Sequence, residues 1–476
     1  MAAIQPFRTL RGLRTSISSL AQPPSDTEPR TTDWILISVV GALVVLGLFM
    51  AYSTTFYWSV SEDGNPMGYF LKQLGYAGIG VVLFIILSRV DYGFWNRMAL
   101  PAIAVTVIAL IAVLVFGTHR FGAQRTLFGG SLQPSEPAKI IILMYGAAWL
   151  ASRRKQVTNI RVGLIPFVFF NALIVGLIAL EPDISTSIII LLAASAMFFM
   201  AGASVIQIIL SVGAAAGVAY LMVTFVQHAS NRVAQFMNGF ESVYQIKQGL
   251  IAIGSGGIFG YGIGLSYQKF GLLPAQNTDS VFAVVAEEMG LLGVALILGL
   301  LLVLAYRGLR IAQRADTLFG AFWAVGIIIW ITMQALLNLL AMNGYLPLPG
   351  IPVPFISYGG SSLISVLAAC GILVSISRGT KILSNSSDID EGEEEQPRGG
   401  ITEKVASANF RRRDSGTRSA RTNRSKQVED SSTEIIGRDV KFRPRLGRGS
   451  DTTGSGGSVR WRNGRYGTGT RDARGR

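Results

Sequence analysis

Between Trp34 and about Ser377 the chain consists of apolar blocks of about 20 residues joined by shorter polar connections. A helix rises about 1.5 Å per residue, so about 20 apolar residues cross a hydrocarbon layer of roughly 30 Å. Ten stretches meet or approach that length: 34–52, 69–88, 97–117, 137–151, 161–180, 184–201, 205–227, 281–306, 317–342 and 361–377. The fourth, sixth and tenth are short, and only Gly202, Ala203 and Ser204 separate the sixth from the seventh. The pattern predicts an all-α polytopic membrane protein of ten transmembrane helices, without an internal repeat of clear period.

Basic residues orient these spans. With the N-terminus in the cytoplasm, the cytoplasmic connections hold Arg89, Arg97, Arg153, Arg154, Lys155, Arg161, Arg307, Arg310, Arg314 and Arg378. The outer connections, 53–68, 118–136, 181–183, 228–280 and 343–360, are poorer in Lys and Arg for their length, as the positive-inside rule requires. Adding or removing one span would put either Arg153-Arg154-Lys155 or the basic tail on the wrong side. Both termini are therefore expected in the cytoplasm. The longest outer segment, 228–280, is too polar and Gly-rich for a span and too long for a plain turn, which directs the search for chemistry to the outer face.

Composition narrows the class. The chain is 50% hydrophobic and only 15% charged, against about 25% charged in soluble domains. That excludes a disordered protein or a nucleic-acid-binding domain as the main body. A single cysteine, Cys370, leaves no intramolecular disulfide framework and no Cys-rich metal site, and two lone histidines, His119 and His228, argue against a His-based zinc site. The net charge is +14, and from Gly379 onward 21 Lys and Arg stand against 14 Asp and Glu, so half of it lies in the tail. This Gly-, Ser- and Arg-rich segment opens on an acidic cluster, Asp388–Glu395, and cannot bury a core. Three parts are expected: a polar cytoplasmic segment 1–33 without the features of a secretory signal, a membrane domain 34–378, and a disordered cytoplasmic tail 379–476. The tail reads as a solvated linker to cytoplasmic partners, with lipid-headgroup binding by Arg411–Arg413 as the competing reading.

Several polar residues interrupt this apolar background. Glycines 254, 256, 257, 260, 262 and 264 form no GxGxxG fingerprint and no strand–helix unit surrounds them, so they read first as a tight re-entrant loop packed against helices. A loop presenting N–H groups to phosphate is the alternative. Asp279 precedes an apolar run; it or Thr278 is either a helix N-cap or, for Asp279, a general base at the outer rim. Glu287 and Glu288 lie inside that run, where a charge costs about 2.5–3.5 kcal/mol on the insertion scale, so they must face protein, a partner or water. They stand about 12–14 Å along a continuous helix from Asp279 and cannot form a simple dyad with it. Ser135 is a plausible cap for the fourth span, and Glu136 and Lys139 are three apart, on one helical face. Glu181-Pro182-Asp183 fits a turn. The orientation above puts Arg125, Glu136, Lys139, Asp183, Lys269 and Asp279 at one membrane face, more than packing alone requires.

At these residues the sequence resembles the SEDS family, the FtsW/RodA/SpoVE polymerases of bacterial cell walls. The resemblance covers about 34–380 and rests on five motifs in family order: LQPSEPAK (132–139), EPDISTS (181–187), AIGSGGIFGYGIG (252–264), LLPAQNTDSVFAVVAEEMG (272–290) and LPLPGIPVPFISYGGSSL (346–363). The step GLSYQKFGLLP (264–274) is more similar to the FtsW branch than to the RodA branch. Asn277 and Ser280 replace the His and Phe that usually flank the family's Thr-Asp pair, and Glu181 stands where Gln is common.

The resemblance implies a peptidoglycan glycosyltransferase that polymerises lipid II into glycan strands at the outer face of the cytoplasmic membrane, in cell division. It puts the family's key acidic residue at Asp279, as base for the acceptor 4-hydroxyl. The leaving lipid pyrophosphate calls for cations. Arg125, Lys139 and Lys269 are the candidates, with Glu136 and Asp183 orienting them or holding a metal. No cofactor is certain; a divalent cation, Mg or Mn, is the one this chemistry admits. The implied partners are lipid II, a class B penicillin-binding protein that crosslinks the product, other division or elongation proteins and the membrane itself, and no nucleic acid. Two other readings stay open: a lipid II flippase, for which Glu287 and Glu288 would line a path, and a non-enzymatic division scaffold.

Overall fold

A computed structural model describes residues 31–120, 123–126, 133–181, 183–225, 243–348 and 350–379, with a few more between 230 and 237. The segment 1–30 and the tail from residue 380 lie outside the described residues, and with them the expectations placed there. The helices are α1 (Trp34–Asp63), α2 (Gly68–Arg89), α3 (Tyr92–Phe116), α4 (Ser135–Ser152), α5 (Ile165–Leu180), α6 (Ile184–Met200), α7 (Val205–Phe225), α8 (Tyr244–Ser255), α9 (Val281–Gln313), α10 (Leu318–Met342) and α11 (Gly360–Arg378). Each of the ten predicted stretches thus coincides with a helix over its described residues. Seven helices among the described residues are long and apolar enough to cross a membrane: α1, α2, α3, α5 with the π turn before it, α9, α10 and α11. Helix α6 is a shorter apolar helix.

The fold is all-α as the pattern predicts, with one short hairpin in which β1 (Thr118–Arg120) and β2 (Ala123–Thr126) pair antiparallel, His119 opposite Gln124. Helix α8 forms within 228–280. Ile246, Gly249 and Ala252 are its buried residues, three apart and so on one face, and Gly249 lies near Ala283 and Met342.

The packing is that of a lipid-immersed bundle. Large apolar side chains point outward, among them Leu100, Ile108 and Phe116 on α3, Phe169 on α5 and Leu302 on α9. A continuous apolar exterior of this kind is foreign to a soluble monomer. Polar side chains sit inside instead, including Gln73, Lys139, Glu287, Gln334 and Asn338. Helices α10 and α11 are buried along most of their length and form the centre. Close approach replaces a hydrophobic drive between helices in lipid. A Cβ on Gly371 of α11 would come within 2.6 Å of the Phe84 carbonyl oxygen on α2, so only glycine lets these two backbones meet. At the start of α1, Asp33 caps the helix through Leu36 N and holds Arg307 of α9 at 2.6 Å.

Candidate functional site

One polar cluster begins at α4. Pro134, not Ser135, is the N-cap residue, and the Ser135 hydroxyl turns to Asp183 Oδ2 at 3.5 Å. Lys139 Nζ lies 2.9 Å from Glu136 Oε1, the pair that their spacing predicts, and both side chains are buried. The ammonium also donates to Gln334 Oε1 at 3.2 Å and sits 4.9 Å from the centre of the Trp330 ring. Gln334 in turn accepts from Trp330 Nε1 at 2.8 Å and donates to the Pro352 carbonyl at 2.7 Å. Asp183 caps α6 by accepting from Thr186 N at 3.2 Å, and it accepts from Gln133 Nε2 at 3.2 Å. The Gln133 backbone N–H reaches Ser361 Oγ at 3.1 Å. Motifs one, two and five are thereby stitched together.

Asp279 stands in the turn before α9 and is half-buried. The cap residue of α9 is Ser280, without a side-chain cap bond, so neither Thr278 nor Asp279 holds the position that capping predicts. The Ser280 hydroxyl is engaged elsewhere, donating to the Pro274 carbonyl at 2.9 Å and accepting from Gln245 at 2.9 Å. The turn is gripped through its backbone. Tyr358 N donates to the Asn277 carbonyl at 2.7 Å, Ser357 Oγ to the Thr278 carbonyl at 2.5 Å, and Asn338 Nδ2 to the Asp279 carbonyl at 2.9 Å. Asn338 Nδ2 also donates to the Ile351 carbonyl at 3.0 Å, and Gln276 Nε2 anchors the turn to the Thr54 carbonyl of α1 at 3.2 Å. Gln334 and Asn338 are four residues apart on α10, hence on one face and about 6 Å apart along the axis. That face sets the Glu136–Lys139 pair one turn from the peptide of Asp279.

Gln334 and Asn338 are absent from the residues that sequence reasoning singled out. Their signal was present: two amide side chains one turn apart inside an otherwise apolar helix, where every polar group needs a partner. Ser53 and Ser357 carried no comparable mark.

A second buried cluster lies on α9. Glu287 accepts from the Ser266 hydroxyl and from Tyr267 N at 3.0 Å. Glu288 Oε1 lies 2.8 Å from Lys269 Nζ and accepts from Ser53 Oγ at 2.6 Å, while Lys269 also donates to Ser53 at 2.9 Å. Lys269 is thus committed to a bridge between the Gly-rich segment, α1 and α9, apart from the contacts that surround Asp279. The Gly-rich segment itself takes the re-entrant form: Tyr261 N donates to the Glu287 carbonyl at 3.0 Å and Leu291 N to the Gly257 carbonyl at 3.0 Å. Arg125 lies on β2, and its side chain is outside the described residues.

A metal finds no ready-made ligand set in this geometry. Among the described residues no three His, Cys, Asp or Glu side chains converge. Glu136 faces an ammonium and Asp183 is spent on three donors, so of these two carboxylates only Glu136 Oε2 is without a hydrogen bond, a single ligand. Glu136 and Asp183 therefore do not fit the metal-holding role.

Residues 33–382 match the family model described as cell cycle protein, FtsW/RodA/SpoVE. Stage V sporulation protein E of Bacillus subtilis is 35% identical over 74% of this chain and 98% of its own length. The probable peptidoglycan glycosyltransferase FtsW of Trichlorobacter lovleyi is 35% identical over 74% of this chain and 94% of its own. Among solved structures, a chain from a peptidoglycan synthase complex that coordinates polymerization and crosslinking superposes with a TM-score of 0.59, at 26% identity, over 73% of this chain and 98% of that one. The rod shape determining protein RodA of Thermus thermophilus gives 0.55 at 27% identity, over 73% of this chain and 97% of that one. A family model matched over residues 33–382, and relatives 35% identical over nearly their whole length, make this chain a member of the FtsW/RodA/SpoVE cell cycle protein family.

Proposed function

We propose that this multi-pass membrane protein is a peptidoglycan glycosyltransferase that polymerises lipid II, acting in cell division, with Asp279 as its general base. Relatives named as probable peptidoglycan glycosyltransferases support the activity. The carrying observation is the grip on the Asp279 turn by Asn338 and Ser357, which fixes the backbone of a half-buried carboxylate one helical turn from a closed polar cluster. The carboxylate takes the proton of the acceptor sugar 4-hydroxyl as that oxygen attacks the donor anomeric carbon. The new C–O bond forms as the bond to the lipid pyrophosphate breaks and the leaving oxygen keeps the electron pair. Attack opposite the leaving group inverts an α-linked donor to a β-linked product.

Lys139 and Lys269 are each closed onto a buried carboxylate, so Arg125 is the proposed cation for the pyrophosphate. Glu136, Lys139 and Asp183 set the wall against which the substrate lies. The proposed topology has ten spans with both ends in the cytoplasm, which sets Asp279 at the outer rim, and the spacing of basic connections supports it. A class B penicillin-binding protein is the proposed partner, in keeping with the synthase complex to which one structural neighbour belongs. The flippase reading loses its best feature, because Glu287 and Glu288 are closed onto Ser266, Lys269 and Ser53 rather than lining a path.

Asp279→Asn tests the assignment. The substitution keeps shape and leaves the backbone contacts, so the variant folds with the parent's melting behaviour. With purified lipid II and the transpeptidase partner it is expected to lose at least about 100-fold in polymerisation rate. A rate near the parent's removes Asp279 from the mechanism.

A further inference from the structure

At the opposite end of the bundle from Asp279, the end of α4 and the α6–α7 connection enclose a cavity of about 800 Å³. One side is basic: Arg153, Arg154 and Lys155 follow one another after α4. The other is apolar, with Phe199, Met200 and Leu318. No acidic side chain lines it among the described residues. Arg153 and Lys155 are exposed, and the Arg153 guanidinium lies 5.8 Å from the centre of the Trp149 ring, which holds it at the rim of the span. The far wall is firm: Gln207 accepts from Ser204 N at 2.8 Å and donates to the Val157 carbonyl at 3.0 Å, tying the α6–α7 connection to the chain that follows α4. Gly202 adds no bulk, since even a Cβ there would meet nothing within 4 Å.

Charge on one wall and apolar side chains on the other, at the end of membrane helices, is the chemistry of a phospholipid: an anionic headgroup on the basic residues and an acyl chain along the apolar wall. We propose that this cavity binds an anionic phospholipid, with Arg153 and Lys155 as the principal headgroup contacts. Neither residue takes part in the Asp279 site, so the lipid acts on the fold rather than on the reacting sugars. The proposed orientation assigns the site to the inner leaflet, but the test below is carried out in detergent and does not depend on it.

The full chain, in a zwitterionic detergent, is titrated with phosphatidylglycerol or phosphatidylcholine while its melting temperature is followed. Phosphatidylglycerol is expected to reach half its effect at roughly tenfold lower mole fraction than phosphatidylcholine. Arg153→Gln with Lys155→Gln removes that difference, whereas Arg153→Lys with Lys155→Arg retains it and shows that charge, not misfolding, is at issue. Inorganic phosphate produces no shift. Equal responses to the two lipids, or a preference that survives the Gln pair, overturn the proposal. A matching shift from inorganic phosphate makes it a free-anion site and overturns the lipid assignment. A preference that emerges only when Glu393, Glu394 and Glu395 are changed to Gln makes the acidic stretch of the tail the occupant, and the proposal falls equally.

Discussion

Lys139 and Glu136 carry opposite charges inside the bundle, 2.9 Å apart and both buried. Such a pair adds little net stability compared with an apolar pair of the same size, but removing one partner strands the other. Lys139→Met should lower stability by about 3–5 kcal/mol, because it leaves Glu136 buried with no cation beside it. Adding Glu136→Gln should restore most of the loss, since no buried charge then remains. Melting of the two variants in detergent checks both statements, and equal melting of the single and double variants would contradict them. At this scale the sequence was partly legible. Spacing alone predicts the Glu136–Lys139 contact, because i and i+3 share a helical face. Spacing says only that Glu287 and Glu288 need partners; Lys269 and Ser53 answer from distant segments that no local pattern connects. The caps failed for the same reason: the hydroxyl of Ser135 and the backbone around Asp279 are claimed by tertiary partners that outbid the local helix end.

Elements were the most legible level, since a lipid-facing helix is apolar over a length set by the bilayer. What escaped is where tertiary contact bends or rebuilds them. The helix α9 breaks at Gly290, whose φ of 66° and ψ of −165° fall in a region open essentially to glycine alone. The re-entrant segment passes so close there that a Cβ on Gly290 would stand 2.3 Å from the Ile258 carbonyl oxygen. Gly290→Ala should therefore cost at least about 1–3 kcal/mol from backbone strain, before the clash is counted. It should also loosen the strip that carries Lys269, with loss of folded protein on gel filtration. Gly299→Ala, on the same helix, is the control: nothing lies within 4 Å of its Cβ, and alanine in a helix is favoured by about 0.5–1 kcal/mol. Equal melting of the two variants would mean that the break at Gly290 is not a structural requirement. Helix α8 was hidden for a different reason, its twelve residues being too short and too polar to stand out from the surrounding glycines.

For the whole molecule, the proposed orientation rests on the distribution of basic residues, and it governs both the catalytic and the lipid-binding readings. Two exposed positions separate the faces. Ser61 lies near the end of α1, in the connection expected outside, and Thr158 follows the basic turn after α4, in the connection expected inside. Cys370 is fully buried in α11, so the chain supplies its own silent background for thiol labelling. In intact cells a membrane-impermeant maleimide should modify Ser61→Cys and leave Thr158→Cys untouched. In inverted vesicles the reactivity should exchange. On the ten-span topology Ser61 follows one span and Thr158 follows four, so an exchange requires an odd number of crossings between them, as when α2, α3 and α4 all cross. Helix α4, which starts with a buried ion pair and has only 18 residues, is the least apolar of these, and on the proposed ten-span topology it is the crossing that puts Asp279 and Arg153 on opposite faces. If both positions label from the same side, an even number of these three helices crosses, and the ten-span topology that pairs an outer-rim Asp279 with an inner-leaflet cavity falls.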